Sequence, residues 1–159
     1  MVEPILKWVG GKRQLLSDIT GPFPTTYDAY HEPFVGASAV FFHLDPGAGT
    51  INDLNERLTT FYEVVRDYPE DLIEENKTHE HSEEYFYEAR TEFNGFLSES
   101  TLTREKHVRE ASLLLFLNRT CYNGLFRENN DREFNTSFGQ YENPDWVQEA
   151  VLNRHTAAG

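Results

Sequence analysis

Glu32-Pro33-Phe34-Val35-Gly36-Ala37-Ser38-Ala39-Val40-Phe41 decides how this chain is read, because Gly36 falls where a strand hands over to a helix. Tyr27 to His31 reads as the strand before it, Ser38 to Leu44 as the helix after it, and Gly49 to Asn52 as the next strand. Strand, helix and strand in so short a span form a βαβ unit, which requires a parallel sheet. A glycine at such a turn lets a ligand come close to the backbone. Asp53 follows at the end of the second strand. A carboxylate roughly 20 residues past the turn is placed to accept hydrogen bonds from ribose hydroxyls. The phosphate-cradling G-x-G-x-x-G is absent, since Gly36 is followed by Ala37-Ser38. The pattern suits a ligand with a ribose and no pyrophosphate, and S-adenosylmethionine answers that description.

The 159 residues suffice for one ordinary domain with a real core but leave little room for a large insertion. No apolar run reaches the ~18 residues of a membrane span, and Met1-Val2-Glu3-Pro4 is no signal peptide. The lone Cys121 has no partner for an internal disulfide and suits a reducing cytoplasm. The net charge of -13 combines 27 acidic residues with only 14 Lys and Arg. An ordinary acidic surface gives such a balance, and so does adaptation to high salt. The scarcity of lysine (Lys7, Lys12, Lys77, Lys106) favours a halophilic protein. At molar salt the Debye length falls to ~3 Å, so an acidic protein still meets a polyanion without long-range repulsion. The charge alone argues against nucleic acid, whose binders usually carry a basic footprint.

Beyond the βαβ unit the chain reads as helical. Lys12 to Leu16 opens a helix after Gly10-Gly11. Leu58, Phe61, Tyr62 and Val65 recur at helical spacing, and Pro69 stops that helix. Tyr85, Phe86, Ala89, Phe93 and Phe96 mark a second stripe, and Val108, Ala111, Leu114, Leu115 and Leu117 a third. These stripes are read as core. Asn123-Gly124 and Asn129-Asn130-Asp131 predict tight turns, and Phe134 to Gly139 alternates like a short strand. Asp145 is expected to cap a last helix containing Trp146, Val147, Ala150 and Val151.

Three segments in this order resemble the Dam family of DNA adenine-N6 methyltransferases and span nearly the whole chain. They are Leu6-Lys7-Trp8-Val9-Gly10-Gly11-Lys12, then Glu32 to Phe41 with Asn52-Asp53-Leu54-Asn55, then Leu117 to Arg127 followed by Phe134 to Gly139. The resemblance implies an α/β fold: an incomplete Rossmann-like methyltransferase sheet with an inserted, mainly helical target-recognition domain ending in a β-hairpin. Residues 1–55 would bind S-adenosylmethionine, 56–144 would recognise DNA, and 145–159 would begin the return to the sheet. Trp8, Lys12, Glu32, Phe34, Gly36 and Asp53 match the cofactor motifs. Trp8 would offer an aromatic face, Lys12 a cation for the cofactor's carboxylate, and Asp53 the ribose acceptor. Asn118, Arg119, Asn123, Leu125 and Arg127 match the segment that meets double-stranded DNA. Arg127 would read a guanine edge through its planar fork. Arg119 and Arg132 are expected to contact phosphates or form internal ion pairs. The family often carries basic residues after Gly139, whereas Gln140-Tyr141-Glu142 follows here.

Adenine N6 transfer also needs Asp or Asn, then Pro-Pro, then an aromatic residue, to hold the amine and stack on the flipped base. No Pro-Pro occurs in these 159 residues. Asn143-Pro144-Asp145-Trp146 lacks the second proline and a preceding apolar strand, and Asp45-Pro46-Gly47-Ala48 fails likewise. No catalytic residue is therefore assigned. The expected protein is the N-terminal portion of such an enzyme, with a missing C-terminal half or a cognate restriction enzyme as partner. The alternatives are a non-catalytic DNA- or cofactor-binding remnant, and a methyltransferase acting on RNA or a small molecule. No zinc spacing is recognisable, and His79 and His81, in an acidic run, are expected to be solvated. No G-x-S-x-G signature is present.

Overall fold

The structure, a computed structural model, describes residues 4–8 and 15–156. Its first part is the βαβ unit. Strand β1 (Tyr30–Glu32) and strand β2 (Gly49–Ile51) pair in parallel, with Tyr30 opposite Gly49 and Glu32 opposite Ile51. Helix α1 (Leu16–Thr20) precedes them, and α2 (Ala39–Leu44) makes the crossover. The first strand is shorter and later than the run Tyr27 to His31 suggests. Tyr27, Asp28 and Ala29 are exposed, and pairing starts only where the Tyr30 N–H reaches Ala48 O at 3.0 Å. The helix predicted to open at Lys12 begins at Leu16, and residues 9–14, with Lys12, lie outside the described residues.

Four helices follow: α3 (Glu56–Asp67), α4 (Pro69–Asn76), α5 (Glu83–Gly95) and α6 (Arg104–Thr120). Three start on side-chain caps. Asn55 accepts from the Arg57 N–H, Ser82 from Tyr85 and Thr103 from Lys106, each satisfying an amide that the first helical turn leaves unpaired. Pro69 does more than end α3. It is the first residue of α4, where its missing N–H costs nothing. Helix α6 lies against α3, α4 and α5 and is buried all round from Glu110 to Asn118, with Leu113, Leu115, Phe116 and Leu117 wholly buried. Phe61, Leu58, Phe86 and Phe93 meet it from the neighbouring helices. One apolar cluster joins these helices to Ile5, Leu6 and Val35 of the first part and to Leu152 of the last helix, α7 (Glu149–Thr156). Arg57 is buried within it, paired with Glu110 at 3.2 Å and lying 3.8 Å from the centre of the Phe93 ring.

Two expectations about the C-terminal third change. Phe134 to Gly139 forms no strand; Cys121 pairs with Phe138 and Glu128 with Phe134 as single antiparallel bridges. The chain between them cannot continue a ladder, because side chains from α5 occupy its backbone groups. The Asn94 amide accepts from the Phe134 N–H at 2.8 Å and donates to Phe134 O at 2.9 Å, and Arg90 donates to Thr136 O at 3.1 Å. The last helix starts at Glu149, after Trp146 and Val147. The Trp146 indole is drawn instead to Asn76 O (3.0 Å), and Asp145 accepts from the Gln148 N–H at 3.2 Å. Among the described residues no helix is long and apolar enough to cross a membrane.

Candidate functional site

At the carboxyl ends of β1 and β2 the backbone turns outward, the usual place for a ligand on an open parallel sheet. Asn52 donates to Glu32 O at 2.8 Å and Val35 donates to Asn52 O at 2.9 Å, extending the pairing beyond the strands. Gly36 then adopts φ +50°, a left-handed conformation that costs a side chain roughly 1–2 kcal/mol and glycine nothing. Its N–H donates to Asp53 Oδ2 at 3.0 Å, and its carbonyl accepts from the Tyr62 hydroxyl at 2.9 Å. Asp53 Oδ1 accepts from the Asn55 N–H at 3.0 Å. One carboxylate thus fixes the glycine turn and the entry to α3 together. Tyr62 is buried, which pushes its phenol well above the ordinary range and keeps it a neutral donor.

The cofactor candidates fall into three groups. Gly36, Asp53 and Trp8 are brought together: a Cβ on Gly36 would lie 3.3 Å from Trp8 Cδ1. The Trp8 ring also stacks on Phe126, with centroids 4.9 Å apart and planes 20° apart. Glu32 and Phe34 flank the turn in opposite ways, Glu32 buried and Phe34 67% exposed. Lys12 lies outside the described residues. S-adenosylmethionine fits this donor set. A carboxylate has about four acceptor positions, and Asp53 commits one per oxygen to backbone, leaving capacity for a ribose diol.

The DNA candidates divide between the interior and the surface. Asn118 is 1% exposed. Its Oδ1 accepts from the Lys7 N–H and its Nδ2 donates to Lys7 O, both at 2.7 Å. Arg119 turns the same way: it donates from Nε to Ile5 O at 3.0 Å and from Nη2 to Pro4 O and to the Gln148 side chain. These two residues hold the loop against the N-terminal segment. Beyond them Asn123 (φ 54°) and Gly124 (φ 62°) take consecutive positive φ values, closed by the Leu125 N–H on Tyr122 O at 3.2 Å. This is the tight turn expected of Asn-Gly. Only glycine fits at 124, since a Cβ would lie 2.8 Å from Lys7 Cβ. Asn123 and Arg127 are exposed and Leu125 is half-buried. Lys7 lies over the Tyr141 ring at 4.7 Å, and burial with the nearby Arg119 charge lowers its pKa. Arg132 takes a left-handed φ of 64° in an exposed turn.

His79 corrects the expectation of a solvated side chain. It is buried, with Nδ1 2.8 Å from the Tyr85 hydroxyl and Nε2 2.8 Å from Ser112 Oγ, and it stacks on Phe116. Ser112 in turn donates to Asn76 Oδ1 at 2.7 Å, and Asn76 donates to Val147 O at 3.2 Å. Burial, with Arg109 adding to it, lowers the His79 pKa to about 4. The acidic run around it pointed to solvent because a run of charges does not show which residue of the α4–α5 connection turns inward. His81 is half-buried between Phe138 and Trp146. The Asn94 and Asn118 clamps carried no signal in the sequence, because one asparagine holding another segment's backbone has no local pattern.

The model of D12 class N6 adenine-specific DNA methyltransferases matches residues 8–158. The chain is 36% identical over 153 residues to the type II methyltransferase M1.LlaDCHI of Lactococcus lactis, covering 95% of this chain and 52% of that protein. It is 37% identical to the type II methyltransferase M.MjaIII of Methanocaldococcus jannaschii, covering 95% of this chain and 57% of that one. It is 38% identical to the DNA adenine methylase of Serratia marcescens, covering 92% and 52%. The chain therefore spans about half the length of the curated relatives it matches. Its extent of match and the glycine–carboxylate turn agree, and the chain belongs to the D12 class of N6 adenine-specific DNA methyltransferases.

Proposed function

We propose that this chain carries the donor-binding and DNA-reading parts of an enzyme that moves a methyl group from S-adenosylmethionine to adenine N6 in duplex DNA. One observation carries the reading: Asp53 joins the left-handed Gly36 to the start of α3 while keeping acceptor capacity for a ribose. Asp53 would hold the ribose, Trp8 would pack on the cofactor, and Lys12 would pair with its carboxylate. Glu32 and Phe34 flank the same turn. S-adenosylmethionine supplies the electrophilic methyl group when bound.

Residues 56–144 would form the inserted, mainly helical recognition domain, with 1–55 and 145–159 belonging to the methyltransferase sheet. Asn123, Leu125 and Arg127 would meet the DNA, and Asn118 and Arg119 would hold their loop in place. A restriction enzyme of the same specificity is the partner suggested by the relatives named as type II methyltransferases. The 159 residues contain no Pro-Pro, so the chemistry assigned to them stops at holding donor and DNA. That absence supports the second reading, a binding module that transfers nothing. Labelled methyl appearing in duplex DNA incubated with this chain would eliminate it.

The test of the first reading is calorimetric titration of S-adenosylmethionine into the chain in molar KCl. Saturable binding is expected for the native sequence and a loss of about 100-fold or more for Asp53→Ala, the worth of about two charge-assisted hydrogen bonds. Equal affinity of the two proteins, or no binding by either, overturns it.

A further inference from the structure

We propose that Asn135 is a positioning residue that fixes the Arg127 guanidinium so that one particular edge of it faces a base pair. The inference rests on the reading of Arg127 as a DNA contact. Three hydrogen bonds join the two residues. Arg127 Nε donates to Asn135 Oδ1 at 2.8 Å, and Arg127 Nη2 donates to the Asn135 carbonyl at 3.2 Å. The Asn135 N–H donates back to Arg127 O at 3.0 Å. A guanidinium has five N–H donors in a rigid plane. Nε and the neighbouring hydrogen of Nη2 form its side edge, and Asn135 takes both. What remains is the end edge, formed by Nη1 and the second hydrogen of Nη2. Two parallel donors of that kind match O6 and N7 of guanine in the major groove.

The charge environment separates Arg127 from the four arginines that are paired with acids. Arg57 pairs with Glu110, Arg66 with Asp67, Arg104 with Asp71, and Arg109 with Glu75 and Glu92. Arg127 is exposed, and both of its hydrogen-bond acceptors belong to an uncharged residue. The same loop carries three acids, Glu128, Asp131 and Glu133, of which Glu133 is held by Asn129, whose Nδ2 donates to Glu133 Oε2 at 2.9 Å. In a protein of net charge -13, a cation held by a neutral partner keeps its attraction for an anionic duplex. Fixing the side chain before binding also removes the cost of ordering a long, flexible arginine at the interface.

The test is selection of duplexes by the chain in high salt from a pool randomised at every position, followed by sequencing of the retained DNA. The native chain is expected to enrich a motif containing a guanine. Arg127→Ala should abolish preference at that guanine. Asn135→Ala and Asn135→Leu, which keep the backbone bond, should lower it about 5- to 10-fold while the other positions of the motif persist. Asn135→Asp, which keeps the acceptor but adds a charge, should keep the guanine preference while weakening DNA retention overall. If Arg127→Ala loses the guanine and Asn135→Ala keeps it, the positioning role is wrong and the base reading stands. If Arg127→Ala changes nothing, or the native chain enriches no sequence, the base reading falls and the inference with it. A uniform loss of all DNA retention in Asn135→Ala and Asn135→Leu alike also overturns the positioning role.

Discussion

The cofactor turn and the recognition loop are both irregular backbone, yet opposite means hold them. At residues 32–55 most of the stabilising groups come from the same short unit: Asp53 holds Gly36 and Asn55, and Asn52 and Val35 extend the strand pairing, with Tyr62 of α3 added on the Gly36 carbonyl. At residues 118–139 they come from far along the chain. Asn118 holds Lys7, 111 positions away, and Asn94 holds Phe134, 40 positions away. The first region is specified by neighbours in sequence, and the second exists only once the helices have assembled. Damage to the first should therefore fall on ligand binding, and damage to the second on stability and loop order.

Asp53→Ala is the largest expected break in this contrast. It should cut S-adenosylmethionine affinity by about 3 kcal/mol or more, from about two charge-assisted hydrogen bonds, while the helices stay folded by circular dichroism. Asn118→Leu should act the other way. Keeping the volume but orphaning the Lys7 N–H and C=O, it should cost roughly 2–4 kcal/mol in urea unfolding. A loss below about 0.5 kcal/mol would show that this clamp is replaceable by water.

His79 sharpens the same point through pH. The folded state keeps it neutral down to about 4, whereas the unfolded chain takes up its proton near the ordinary 6.5. Its contribution is fully present above 6.5 and is lost as pH falls from there toward 4, by roughly 2–3 kcal/mol. Because carboxylates titrate in the same range, the measurement is the difference between native and His79→Gln midpoints, which should narrow over that window. The smallest effect is expected from Gly36→Ala. Left-handed strain and a 3.3 Å approach to Trp8 should together cost roughly 1–2 kcal/mol, visible as a lower thermal midpoint.

The legible parts of the molecule were those with a local cause. The βαβ unit followed from Gly36, the alternation around it and Asp53, and the three apolar stripes became α3, α5 and α6. Asn123-Gly124 predicted its own turn because few residues tolerate consecutive positive φ values. The failures share one reason as well. Phe134 to Gly139 has the alternation of a strand, but Asn94 and Arg90 take its backbone groups before another strand can. His79 sits among acids in sequence and among Phe116, Tyr85 and Ser112 in space.

By itself the sequence determined the family, the glycine–carboxylate turn and the helical stripes, since each depends on residues within a few positions or at a fixed period. Tertiary structure alone decided which polar side chains face inward. A buried amide or imidazole is stable only where another segment brings matching donors and acceptors. It also decided that Asn135 holds Nε and Nη2 of Arg127, because the two residues meet only when the loop closes on itself.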